Sequence, residues 1–157
     1  MELLYLDLET FSEADLKKVG SYAYAEHEST EILLALYAID DEPPKCWDCT
    51  AEDKMPDDLK RALRKVQRHK AKVVMHNGNM FDRLVIKNVW GMELDPRDSI
   101  DTMVFAFRHS LPGSLAALCE VLQIDEDLVK DKSGKALINR FAKPTPKNYK
   151  IRRYDRN

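Results

Sequence analysis

The 157-residue chain reads as an α/β protein whose core is a mixed sheet, a three-strand antiparallel meander joined by parallel strands, flanked by helices. Two apolar runs and a short third one near the N-terminus have strand character, and the segments after residue 55 alternate between helical and strand periodicity. That order suits helices packed on a mixed sheet. A 44% hydrophobic content over this length supplies one sizeable core rather than two.

Glu2 to Thr10 is the first expected strand, and Glu31 to Ile39, with its run from Ile32 to Ile39, is the second. Asp40-Asp41-Glu42-Pro43-Pro44 is a turn signal, followed by a third strand from Lys45 to Asp48. Pro56-Asp57-Asp58-Leu59 opens a helix with proline and acids in its first turn, and Leu59, Leu63 and Val66 continue it towards the basic cluster around His69. A short strand over Lys72 to His76 comes next. The polar turn Asn77-Gly78-Asn79 then leads into a helix from about Phe81 to Gly91. Asp101 is read as the N-cap of a helix through Met103, Phe105, Ala106 and Arg108. Leu111-Pro112-Gly113-Ser114 breaks that helix and caps the next, Leu115 to Leu122. A last helix is expected over Gly134 to Ala142, before the prolines of Lys143 to Lys147 return the chain to an extended state.

The net charge of -2 conceals an asymmetry. From Lys130 to Asn157 there are ten basic and two acidic residues, a balance of +8, against -10 for the first 129 residues. The basic end, with Tyr149 and Tyr154 among Lys143, Lys147, Lys150, Arg152 and Arg153, suits either a DNA backbone or a solvated tail. No apolar run approaches the roughly 20 residues of a membrane span, so no membrane partner is expected. With Glu2, Asp7 and Glu9 in its apolar run the N-terminus does not look like a signal peptide, and three sparse cysteines suit the cytoplasm. Cys46-Trp47-Asp48-Cys49 has the spacing of zinc and redox pairs but lacks a second pair to close a tetrahedral shell, so it is read as two ordinary thiols.

The chemistry lies in two segments. Asp7 and Glu9 are two apart on a strand, so both leave one face while Leu8 points to the other. Two neighbouring carboxylates are costly without a cation, and oxygen-only ligands suit Mg²⁺ or Mn²⁺. The second segment, His76-Asn77-Gly78-Asn79-Met80-Phe81-Asp82, follows a strand and enters a helix, which would aim Asp82 at the sheet edge carrying Asp7 and Glu9. Phe81 is expected to be a buried wedge, and Asn77 to tie the turn by hydrogen bonds to backbone. His76 is read as fixing the same turn. Asp101 is read as a helix cap rather than a ligand, and Asp95 and Asp98 as solvated in a polar loop.

Asp7-Leu8-Glu9-Thr10 resembles the D-x-E-T motif, and His76 to Asp82 the H-N-G-x-x-F-D motif, of the DnaQ-like, DEDD-type 3′-to-5′ exonucleases. Val19-Gly20-Ser21-Tyr22-Ala23-Tyr24 and Leu111 to Leu118 are similar to the exonuclease domain at the front of bacteriophage family A DNA polymerases. The resemblance implies a ribonuclease-H-like fold and a phage-encoded protein of the bacterial cytoplasm. It also implies removal of nucleotides from a single-stranded DNA 3′ end with two Mg²⁺ or Mn²⁺ ions about 3.5 to 4 Å apart. Asp7 would touch both ions, Glu9 would hold the water-bearing one, and Asp82 would complete the other. Thr10, Phe11, Asn77 and Phe81 would lie against the nucleic acid.

The family pattern also has a fourth carboxylate, four or five residues after a Tyr or His on a late helix. This chain departs from it: Tyr154 and Asp155 are adjacent, and Arg153 is the residue four after Tyr149. Residues 1–142 are therefore expected to form an exonuclease-like domain, and 143–157 a basic extension that is the incomplete end of the same domain. Such a chain is either an exonuclease, alone or with the rest of a polymerase, or an inactive module that binds nucleic acid or a protein partner.

Overall fold

A computed structural model describes residues 1–124. The helix expected over Gly134 to Ala142 and the basic extension lie outside them. In chain order the elements are β1 (Glu2–Phe11), α1 (Leu16–Glu26), β2 (Glu31–Ile39), β3 (Lys45–Asp48), α2 (Asp57–Gln67), β4 (Ala71–Met75), α3 (Asp82–Trp90), β5 (Ser99–Asp101), α4 (Thr102–Arg108) and α5 (Leu115–Val121). One five-stranded sheet runs in the order β3-β2-β1-β4-β5. β1, β2 and β3 pair antiparallel, whereas β4 pairs parallel with both β1 and β5. The mixed sheet flanked by helices is as expected.

Alternation along β1 builds the core. Leu4, Leu6 and Leu8 are buried, as are their neighbours Tyr37, Ala35 and Val73 on β2 and β4. From α2, Leu59, Leu63 and Val66 are fully buried, each contributing about 1.5–3 kcal/mol by leaving water. β3 is fastened to α2 by Lys45, whose ammonium lies 2.8 Å from both Asp58 and Glu42. That ammonium and the Leu59 N–H help pull the Asp58 carboxyl down to about 2, against the effect of burial. Among the described residues no helix is long and apolar enough to cross a membrane.

Two elements are additional to the sequence expectation. The meander is interrupted by α1, which buries only Tyr24 and Ala25 and is kinked at Gly20, with φ 78° and ψ 170°. That backbone is open essentially only to glycine. It cuts the helical period into two short pieces, too short to register as a pattern. β5 has three residues and is defined by its ladder to β4 rather than by any local alternation.

Asp98 corrects an expectation. It is buried rather than solvated: its carboxylate accepts from Lys72 Nζ at 2.7 Å and from His69 Nδ1, and these two, Lys72 first, hold it below its ordinary range. His69 lies just before β4 and Lys72 within it, both more than 25 residues away, where no local pattern could announce them. Asp95, also expected to be solvated, is partly covered and paired with Arg97 at 2.6 Å.

Candidate active site

β1 carries Asp7 exposed and Glu9 half-buried on one face, with Leu8 buried on the other. The period of two expected from the sequence is kept up to Glu9. There the β1–β2 register shifts, Glu9 facing Leu34 but Thr10 facing Ile32, so one residue of β2 is passed over, a bulge that bends the ladder beside the carboxylates. Thr10 and Phe11, directly after it, are buried.

Because β4 lies beside β1 and runs parallel to it, the turn leaving β4 emerges near the far end of β1. Asn77 adopts a left-handed conformation, φ 62°, which asparagine tolerates better than most residues. Gly78 has no room for a side chain, since a Cβ there would lie 2.3 Å from Met75 Cβ. What ties the turn together corrects the expectation for Asn77: the backbone N–H groups of Asn77 and Asn79 each donate to the Asp101 carboxylate at 3.0 Å. Phe81 is half-buried against the core, its ring 5.5 Å from that of Tyr24.

Asp101 is the N-cap of α4, as expected, accepting from Met103 N–H at 3.0 Å and Val104 N–H at 3.4 Å. Its double duty could not be read from the sequence. One buried carboxylate receives four backbone N–H groups, three at Oδ1 and one at Oδ2. It is a scaffold for the turn rather than a spare ligand. Asp101→Ala removes a cap worth about 1 kcal/mol and leaves two turn donors without a charged acceptor, so a loss of about 3 kcal/mol in chemical denaturation is expected. His76 braces the same region, with Nδ1 2.8 Å from Thr102 Oγ1 and Nε2–H donated to the Gly113 carbonyl at 2.9 Å.

Asp82 opens α3 and is buried, 6% exposed. An acid in a first helical turn gains from the helix dipole, yet here the opposing effects win. Burial, and then the charge of Asp7, with further contributions from Asp101 and Glu9, push its carboxyl up to about 7. The fold thus brings Asp7, Glu9 and Asp82 into one electrostatic neighbourhood. The three carboxylates make an all-oxygen donor set, which fits a hard divalent cation.

Among the described residues the group whose donor atoms all lie within 4.8 Å of one another is His69, Asp95 and Asp98, not the Asp7, Glu9 and Asp82 set. His69 precedes β4 and Asp95 and Asp98 precede β5, whereas Asp82 follows the end of β4. Lys72 and Arg97 already neutralise the Asp98 and Asp95 carboxylates. The Cys46 and Cys49 thiols are free, and burial pushes that of Cys49 up to about 11, which disfavours the thiolate a metal needs.

Sheet order, strand directions and flanking helices together define a ribonuclease-H-like fold. No known family model matches the chain. The chain is 39% identical over 153 residues to the DNA polymerase of Bacillus phage SP02, an alignment that covers 94% of this chain and 22% of the polymerase. It therefore spans about a fifth of the length of that relative. Among solved structures, Brucella melitensis NrnC superposes with a TM-score of 0.55 at 16% identity, covering 83% of this chain and 55% of NrnC. The same protein with bound Mg²⁺ superposes with a TM-score of 0.56, again at 16% identity, over 83% of this chain and 56% of NrnC. At that identity the likeness concerns the fold alone.

Proposed function

We propose that this chain is a metal-dependent 3′-to-5′ exonuclease module of the DEDD type that shortens single-stranded DNA, as the proofreading part of a phage polymerase. The reading rests above all on the buried Asp82 carboxyl, raised to about 7 beside Asp7 and Glu9. The phage polymerase that matches the chain supports the choice of DNA, and the Mg²⁺-bound NrnC structure supports a divalent ion.

Asp7, Glu9 and Asp82 would hold two Mg²⁺ or Mn²⁺ ions, which when bound lower the pKa of an attacking water and stabilise the leaving 3′ oxygen. Asp82 would release its proton if it ligated such an ion, and its burial would shield the liganding oxygen from bulk water. Thr10, Phe11, Asn77 and Phe81 are proposed to line the path of the terminal nucleotide. Hydrolysis breaks the bond between phosphorus and the 3′ oxygen and releases a nucleoside 5′-monophosphate. With Mn²⁺, stepwise shortening of a 5′-labelled single strand is expected, and Asp7→Ala should lower the rate more than ~100-fold, beyond the loss typical of an outer-shell partner. A wild-type protein that shortens no strand with either metal would sink the enzyme reading and leave the fold intact.

The balance of +8 from Lys130 to Asn157 favours a second reading, a module that binds nucleic acid without cutting it. In that case strand binding weakens steeply as salt rises, without cleavage. Binding indifferent to salt removes this reading.

A further inference from the structure

Tyr24 touches both carboxylate-bearing segments. Its ring packs on Phe81, the residue before Asp82, and its hydroxyl lies 3.0 Å from Thr10 Oγ1, the residue after Glu9, in a buried contact. The tyrosine is itself held from a third side. Its carbonyl accepts from the Thr30 hydroxyl at 2.5 Å and from His27 N–H at 3.3 Å, which fixes the end of α1 to the entry of β2. The Gly20 kink sets the direction of the helical piece that carries Tyr24. The Thr10 contact also falls at the register shift between Glu9 and Thr10, where the ladder itself constrains β1 least.

We infer that Tyr24 is a positioning residue that couples the Asp7/Glu9 strand to the Asp82 helix through Thr10 and Phe81 and so sets the spacing of the metal-binding carboxylates. The inference rests on the exonuclease reading, because it needs those carboxylates to act together on a cation. Outer partners of this kind typically alter metal affinity or activity by 10–100-fold.

Tyr24→Phe keeps the ring on Phe81 and removes only the hydroxyl, leaving the buried Thr10 hydroxyl unpaired. Tyr24→Phe/Thr10→Val removes both partners, a change that is nearly neutral for stability. A residue serving the fold alone would therefore have both stability and Mn²⁺ affinity restored by the double variant. The expected outcome differs: the double variant melts close to wild type while its Mn²⁺ affinity by calorimetry stays about 10-fold down. The kcat on a single strand, read on Tyr24→Phe alone because Thr10 is proposed to line the nucleotide path, falls about 10-fold with KM little changed. Tyr22→Phe, 60% exposed on the same helix, is the control expected to match wild type. Wild-type Mn²⁺ affinity in the double variant overturns the assignment while leaving the exonuclease reading standing. A wild type that binds Mn²⁺ but cuts nothing removes the exonuclease reading, and the affinity comparison still decides Tyr24. A wild type that binds no Mn²⁺ removes both.

Discussion

Asp82→Asn is expected to raise the melting temperature of the metal-free protein at pH 8 while lowering strand shortening more than ~100-fold. The two effects have one cause. At pH 8 the wild-type Asp82 is charged, buried and beside Asp7, with Asp101 and Glu9 adding to the repulsion that holds its carboxyl up at about 7. A rise from 3.8 to about 7 corresponds to about 4 kcal/mol of unfavourable interaction in the ionised state. Asparagine has nearly the same shape and no charge, so much of that cost disappears. Part of it returns through loss of the favourable helix-dipole interaction, about 0.3–1 kcal/mol, and through desolvation of the new amide. A net gain of about 2 kcal/mol should lift the melting temperature by ~5 °C in a chain of this size. Cleavage falls because the amide supplies no anionic ligand. Thermal melts in EDTA, set beside the labelled-strand assay in Mn²⁺, test both halves. A variant less stable than wild type would show that Asp82 is not under electrostatic strain.

The second large effect is on pH dependence. Between pH 3.8 and about 7 the folded protein holds the Asp82 proton while the unfolded chain has released it, so stability falls as pH rises through this window. The full loss, on the order of 4 kcal/mol, is reached above about pH 7. Asp58, lowered to about 2, and Asp98, also lowered, act with the opposite sign. Their stabilisation is present above the unfolded value and is lost as pH falls through the folded one. The metal-free protein should therefore be most stable in mildly acidic solution. Subtracting the Asp82→Asn profile from that of wild type isolates the Asp82 contribution, since other groups titrate in both. Mn²⁺ at pH 7.5 should reverse the loss, and loading near pH 6.5 should release protons, read as a buffer-dependent heat in calorimetry. A wild-type profile parallel to that of Asp82→Asn would contradict the raised carboxyl.

How much of this was legible beforehand follows the range of each interaction. The strand period that puts Asp7 and Glu9 on one face is a property of three consecutive residues, and it holds up to Glu9. The cap at Asp101 and the ends of α2 and α3 are likewise local, and they lie within a residue or two of the expected positions. α1 escaped because a single glycine broke its period, and β5 because three residues carry no period at all. Asn77 ties the turn through its backbone rather than its side chain, and local sequence cannot show this because the acceptor, Asp101, is 24 residues away.

The paired carboxylates of β1, the tight turn at Asn77-Gly78 and the order of most of the elements follow from dihedral preference and side-chain alternation, which act between near neighbours. The burial of Asp82 near Asp7, the hold of Asp101 on a turn as well as a helix, the enclosure of Asp98 by Lys72 and His69, and the bridge of Tyr24 between Thr10 and Phe81 arise instead from the packed fold. Each of these depends on β4 lying beside β1 and on which chain segments cover a charge. Burial and electrostatic repulsion are set by what surrounds a group in space, and a local pattern carries no record of that.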